Sequence, residues 1–538
     1  MFPPPSRTRA MRLLRLSRHT ATAAAAMLLA SCAAAGAQQV PGEKRLRVVH
    51  TNDVHGHLLS APTPWSGGRP VGGMAVLAAY FDSAAAHFDG PTLVLSGGDD
   101  MQGTAVSNLS AGRAAIQAMN AAGYDAAALG NHEFDWGQDT LRARVRESRF
   151  PWLAANLYLA GTTRNPAWVR PWVMIRRGGV KVAVVGVALA ETPRIVLPDR
   201  VAGLEFGPEA PAIDRSARQA RAAGADFVVV AIHSGAVCTE PGRAPEEAST
   251  GCTGDVLDVA RALTERVDLI VGGHTHRRVV TEQGGVPVLE AGSYSEGFSV
   301  TDLARSGGRT RVAYRAVRVP WADSVHPDTA VARIVGAWDR RVRAVSESPV
   351  ASLAAALDTV GGDFPLGRLM ADGFRRVAHA QAALVNDGSI RRGLPAGTLT
   401  FGDLYELQPF KNMVVVQDVT GGVLRAALEN ALGKNGKPDA NVAGITVAYD
   451  PAAPAGARVR SVRLDDGREL GDADRISLAS SEFVAAGGDG YTMLRGVAAR
   501  SSGVLDIDAV IAHLRALPQP AAAPTDKRWV PVRVDPAR

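Results

Sequence analysis

The stretch His50-Thr51-Asn52-Asp53-Val54-His55-Gly56 follows directly on the largely apolar run Leu46 to Val49. A short apolar run that stops at imidazole and carboxylate side chains reads as a buried strand presenting chemistry at its carboxyl end. The arrangement recurs four times, as Ser96-Gly97-Gly98-Asp99, Gly130-Asn131-His132-Glu133-Phe134-Asp135, His233 and Gly272-Gly273-His274-Thr275-His276. In open α/β sheets the carboxyl ends of strands border the ligand crevice, so the five clusters predict one shared site. Imidazole, carboxylate and amide oxygen suit zinc, manganese or iron. Asp53, His55, Asp99, Asn131, His233, His274 and His276 are enough ligands for two divalent ions. A single histidine behind a strand is ordinarily a hydrogen-bonded structural residue; seven ligand-type residues behind five strands are not explained by packing.

Working outward, the spacing predicts strands at 46–50, 92–96, 125–129, 180–187, 227–232, 269–271 and 286–289, with helices such as 74–88 and 210–223 between them. This alternation is that of βαβ units around buried sheets. The rhythm changes near Trp321. Val331, Ile334, Val335, Trp338, Val342 and Val345 recur at helical spacing opposite Arg and Asp, which predicts one amphipathic connecting helix over 328–345. A second α/β region follows to about residue 517, and the Pro/Ala-rich segment from Pro518 to Pro524 reads as loosely packed or disordered.

At 538 residues, two or three domains are expected. The net charge of +6 is mostly contributed by Arg7, Arg9, Arg12, Arg15 and Arg18. The remainder is close to neutral, which argues against a surface for polymeric nucleic acid. These arginines precede an apolar run from Ala21 to Ala30, too short to span a membrane and laid out as a secretory signal over 1–31. Leu29-Ala30-Ser31-Cys32 resembles a bacterial lipobox, which implies an exported lipoprotein of the periplasm or outer membrane, held at the membrane only by a lipid on Cys32. Cleavage of a plain signal near Ala35 or Ala37 is the other reading. Cys238 and Cys252 are expected to form a loop-closing disulfide in an oxidising compartment, with free buried thiols as the alternative. No phosphate loop of the Gly-x-x-x-x-Gly-Lys-Ser/Thr type and no Gly-x-Ser-x-Gly elbow is present, so neither ATP-driven nor serine-esterase chemistry has support.

Thr-Asn-Asp-Val-His-Gly, Gly-Gly-Asp, Gly-Asn-His-Glu-Phe-Asp and Gly-Gly-His-Thr-His together resemble the calcineurin-like metallophosphoesterase signature, specifically that of the 5'-nucleotidase family with its UDP-sugar hydrolases. The second half agrees: Pro365-Leu366-Gly367-Arg368 with Asp372, Asn386 through Arg391, Pro409-Phe410-Lys411-Asn412, and Phe483 with Gly487-Gly488-Asp489-Gly490-Tyr491 are similar to that family's C-terminal domain. The resemblance implies an α/β chain with a four-layer α/β/β/α metallophosphoesterase domain over 44–322, a linker helix within 323–348, a C-terminal α/β nucleotide-binding domain over 349–517 and a tail over 518–538. It implies one ion on Asp53, His55, Asp99 and His276 and a second on Asp99, Asn131, His233 and His274.

His132 resembles the family's catalytic histidine, oriented by Asp135; Asp135 could otherwise be a helix cap alone. Phe410 and Phe483 would sandwich a nucleobase, Asp489 and Asn412 would contact sugar and base, and Arg391 would clamp phosphate with help from Asn386. Taken singly, each phenylalanine would pass for an ordinary core residue. The family's arginines before the Leu-Gly-Arg motif are missing from 355–364, and Arg368, Arg392 and Lys411 are the candidates to replace them. The implied activity is hydrolysis of nucleotide-type phosphate monoesters. Alternatives are a cyclic-nucleotide or UDP-sugar phosphodiesterase, a thiosulfate-ester hydrolase of the same fold, and a surface lipoprotein that binds nucleotides without turnover. The resemblance also implies rotation of the two domains between binding and catalysis.

Overall fold

Residues 42–242, 244–359, 362–433 and 435–532 are described in a computed structural model. The expected signal over 1–31 and the lipid-bearing Cys32 lie outside them.

Two six-stranded sheets face each other across the first half of the chain. The first runs in the order Arg309–Arg318, Phe298–Ser306, Lys44–Thr51, Thr92–Ser96, Ala126–Ala128, Trp152–Leu153. The second runs Arg278–Gln283, Val286–Ala291, Leu269–Val271, Phe227–Ile232, Val180–Val187, Trp172–Arg177. Side chains alternate between the two faces of each strand, and this period of two builds the layers. Leu46 and Val48 point between the sheets, while Val49 points outward to the helices Met74–Ala86 and Arg113–Ala122. Likewise Phe227, Val229 and Ala231 enter the inter-sheet core and Val228, Val230 and Ile232 face the helices Glu209–Ala222 and Asp255–Ala262. The result is a four-layer α/β/β/α sandwich.

Its central strands are parallel: Thr51 pairs with Ser96, Leu95 with Ala126, Ile232 with Val187 and Ala231 with Val271. All five ligand-bearing ends therefore open on one edge. The predicted strands coincide with observed ones to within about two residues. The spacing did not reveal the antiparallel strands Phe298–Ser306, Arg309–Arg318 and Trp172–Arg177. Arg309–Arg318 is an edge strand that alternates arginine with small or half-buried residues, a pattern a polar loop shares.

The helix Thr329–Ser346 is capped by the Asp328 carboxylate, which accepts from the Val331 N–H at 2.7 Å. Val331, Val335 and Val342 bury its apolar stripe in the core of the first sheet's helical layer. The helix is thus built into that layer, and is more than a bare connector. Beyond it, a five-stranded sheet runs Ala440–Ala443, Ala382–Asn386, Arg475–Ser481, Met413–Thr420, Ala499–Leu505. The helices Pro365–Ala378 and Asp506–Ala516 cover one face, and Gly421–Ala431 covers the other with a three-stranded sheet.

The expectation of a loose segment after Pro518 is overturned. Ala521 is buried, its N–H donates to the Ser352 carbonyl at 2.7 Å, and its carbonyl accepts from the Ala354 N–H at 2.9 Å. Trp529–Pro531 then pairs parallel with Ile445–Tyr449, burying Trp529. Proline lacks an N–H but does not prevent its neighbours from pairing, so composition gave the wrong answer here. Cys238 and Cys252 face each other across the hairpin Val237–Glu240/Thr250–Thr253 and form a disulfide.

Candidate metal centre and adjoining cavity

The five strand ends bring all seven expected ligands together. Asp53, Asp99, Asn131, His55 and His233 are buried, and the groups Asp53/His55/His276 and Asp99/His233/His274 each gather their ligand atoms within 4.8 Å of one another. Asp53, His55, Asp99, His274 and His276 have positive φ values of 50, 48, 58, 80 and 57°. Non-glycine residues pay for such backbone geometry, which persists where function demands it. Gly130 is required by space: a Cβ there would lie 2.1 Å from Asp99 Oδ1.

The imidazoles are oriented from behind. His55 Nδ1 lies 2.7 Å from the Gln102 carbonyl and His233 Nδ1 2.8 Å from the Gly97 carbonyl, so each Nδ1–H donates backward and each Nε2 keeps its lone pair for the site. His55 Nε2 and His276 Nε2 are 3.1 Å apart, and Asp53 Oδ1, 3.2 Å from His276 Nε2, is buried with no aligned hydrogen bond among the described residues. His233 Nε2 faces Asp99 Oδ2 at 3.0 Å and Asn131 Oδ1 at 3.1 Å. Imidazole, carboxylate and amide atoms converging at such distances suit a shared cation, so these residues fit divalent metal. Burial would raise Asp99, but the His233 and His132 imidazoles outweigh it and hold its carboxyl well below the usual range. Burial would likewise lower His233, yet Asp99 drives it up to about 10. The field that holds a proton there is equally suited to a metal ion, which takes the proton's place.

Two glutamates not singled out in the sequence brace these loops. Glu133 accepts from the N–H groups of Asp99, Asp100 and Gly130 at 2.8–2.9 Å. Glu290 accepts from Thr275 Oγ1 and the Ala236 N–H. Burial pushes them up to about 7 and about 8 respectively. Glu290 is the penultimate residue of the strand Val286–Ala291, so a search of strand ends could have found it.

His132 Nδ1 lies 2.9 Å from Asp135 Oδ2. Burial opposes a charge on His132, but the Asp135 and Asp99 carboxylates prevail and hold its pKa above the ordinary value. Asp135 therefore orients His132; its side chain caps no helix. His132, Asp135, Asn131 and His274 form one wall of a cavity of about 280 Å³. All six expected substrate residues, Asn386, Arg391, Phe410, Asn412, Phe483 and Asp489, line the opposite side. Phe410 stacks toward His132 with centroids 5.6 Å apart, and Asp489 Oδ2 accepts from Asn386 Nδ2 at 2.6 Å.

A family model described as "5'-nucleotidase, C-terminal domain" matches residues 344–496, and one described as "Bacterial capsule synthesis protein PGA_cap" matches residues 54–282. The crystal structure of a 5'-nucleotidase precursor from Thermus thermophilus is similar over 91% of this chain and 100% of that one, with 27% identity and a TM-score of 0.79. Residues 344–496 thus match the C-terminal domain of 5'-nucleotidases, and the chain resembles a 5'-nucleotidase over most of its length. A 5'-nucleotidase of Vibrio vulnificus is 28% identical over 90% of this chain and 92% of its own length. Endonuclease YhcR of Bacillus subtilis is 25% identical over 89% of this chain, which spans only 40% of that protein.

Within this family framework the question of the missing arginines has a structural answer. Arg368 is buried and consumed internally, donating to the Asp363 carboxylate at 2.8 Å and the Pro524 carbonyl at 3.1 Å. Arg392 pairs with Glu406. Lys411 does line the cavity, and so does Arg200, which arrives from the metal-bearing half with Ile195, Val196 and Leu197. The 195–200 wall follows the strand Val180–Val187 but carries no ligand-type motif, so the sequence did not mark it.

Proposed function

We propose that the protein is an exported phosphoesterase with two divalent ions that hydrolyses nucleotide 5'-monophosphates. The observation that carries this reading is the cavity itself, in which the metal-ligand wall and His132 face Arg391 and the two phenylalanines. The disulfide supports export, because such bonds persist in oxidising compartments; the lipid anchor at Cys32 is part of the same proposal. Divalent ions held by Asp53, His55, Asp99, Asn131, His233, His274 and His276 supply polarisation of the phosphoryl oxygens and a water of lowered pKa.

The chain's own residues do the rest. Arg391 offers forked donors to the phosphate, and the aromatic faces of Phe410 and Phe483 suit a base. The Asp489 carboxylate, held by Asn386, faces the same space and suits ribose hydroxyls. His132, kept in one tautomer by Asp135, presents its other nitrogen to the leaving oxygen and gives up a proton there.

Phosphate release from AMP, ADP and 2',3'-cyclic nucleotides by metal-supplemented protein tests the proposal. AMP should be hydrolysed, and His132→Ala should lower kcat by about 10²–10⁴-fold with metal content unchanged. No release from any ester by protein with metal confirmed bound would overturn the assignment.

A further inference from the structure

Three apolar residues that line the cavity, Ile195, Val196 and Leu197, belong to neither the ligand set nor the expected substrate set and arrive from the metal-bearing half. Val196 is 5% exposed and its side chain is buried with Val201 in the core of that half. Its backbone is extended, with φ −128° and ψ 164°, and in extended chain successive side chains point to opposite sides. Ile195 and Leu197 are therefore turned away from the core and toward the cavity. Both are half-buried, yet neither packs into a hydrophobic core among the described residues. A pair of large aliphatic side chains held on a cavity wall, with no core to serve, suits contact with an apolar ligand surface. The end of the cavity they occupy is defined by their neighbours. The helix Thr192–Ile195 packs against the turn Gly488–Gly490, and the Phe483 ring lies on Gly488, where a Cβ would collide with it. Ile195 thus stands beside the turn that carries Asp489 and supports Phe483.

We propose that Ile195 and Leu197 are specificity-determining residues that contact the rim of the nucleobase, so that base recognition is shared between the two halves of the chain. The inference rests on the phosphoesterase reading above and deepens it. Phe410 and Phe483 offer faces to the flat sides of a base, and a ring stacked in that way keeps its rim uncovered. The C–H part of the rim gains from leaving water only where apolar groups meet it. Ile195 and Leu197 supply that cover. They carry no charge and no side-chain hydrogen-bonding group, so they distinguish an ester with a base from one without, and give the phosphate nothing to bind.

The test compares AMP with ribose 5-phosphate, which has the same phosphate and sugar without the base, on the full-length, manganese-loaded protein. The readout is the ratio of kcat/KM for the two esters, in which a general loss of folded protein or of bound metal cancels. Leu197→Ala should lower the AMP-to-ribose-5-phosphate ratio by about tenfold, the usual worth of an apolar contact removed from a binding pocket. Ile195→Ala should lower it in the same sense. Leu197→Met, which keeps volume and apolar character, should hold the ratio within about threefold of that of the unaltered protein. Failure of the unaltered protein, with metal confirmed bound, to hydrolyse either ester would overturn the parent reading. Hydrolysis of AMP with a ratio unchanged in both alanine variants, or a ratio as low in Leu197→Met as in Leu197→Ala, would overturn the base contact alone.

Discussion

At the scale of single residues, the site works by forcing unlike demands on neighbouring groups. Phe410 lies under the Arg391 guanidinium, 5.9 Å from it, and beside His132. Stacking is worth about 0.5–1.5 kcal/mol, so Phe410→Ala should raise KM for AMP by up to roughly tenfold, and Phe410→Tyr should restore it. Asp506 makes a different point. It is buried and accepts from Gln408 Nε2 at 2.9 Å and from the Asn412 N–H at 3.0 Å, thereby fixing the loop that carries Asn412. Burial nevertheless pushes its carboxyl up to about 7. A raised acid binds protons more tightly in the folded state, so its stabilising contribution is complete below about pH 4 and is lost as pH rises through about 7. Asn in its place stays neutral across this range, although its amide nitrogen must then face one of the backbone N–H groups, of Asn412 or Ile507, that now donate to the carboxylate. Asp506→Asn should therefore flatten the fall in melting temperature between pH 5 and pH 8; an unchanged slope would assign the dependence elsewhere.

At the scale of elements, legibility followed locality. The strand Phe227–Ile232 and its His233 could be read directly because a fully apolar run of that length has few other uses. The 518–532 segment could not, because its order comes from partners more than seventy residues away: Ala521 bonds to the 352–354 backbone and Trp529 pairs near Val447. The disulfide hairpin belongs to this scale too. Closing a loop of this length is worth about 3 kcal/mol in the chain-entropy view. Since Val237–Glu240 and Thr250–Thr253 pair only with each other among the described strands, the loss should be local. Cys238→Ser with Cys252→Ser should speed amide exchange in the hairpin by roughly 100-fold while the central strands stay protected.

At the scale of the whole molecule, the two halves meet at the chemistry. Asn108 Nδ2 donates to the Pro409 carbonyl at 3.1 Å, Phe410 faces His132 and Arg391 approaches His55. If turnover needs these surfaces to part and close, a cross-link between the 105–108 and 407–409 segments should lower kcat by about an order of magnitude or more without loss of bound metal. Full activity in the linked protein would show that the closed arrangement suffices. By itself the sequence marked the seven candidate ligands and much of the βαβ framework, because each is written locally as an apolar run, a glycine turn and a polar side chain, while the pairing of His132 with Asp135 was implied by the family resemblance. Only the tertiary structure decided that Arg368 is consumed internally, that Arg200 and the 195–197 wall line the cavity, and that Glu133 and Glu290 brace the loops. Those facts depend on which segments the closing sheets bring into contact, and contact between residues distant in the chain leaves no periodic trace along it.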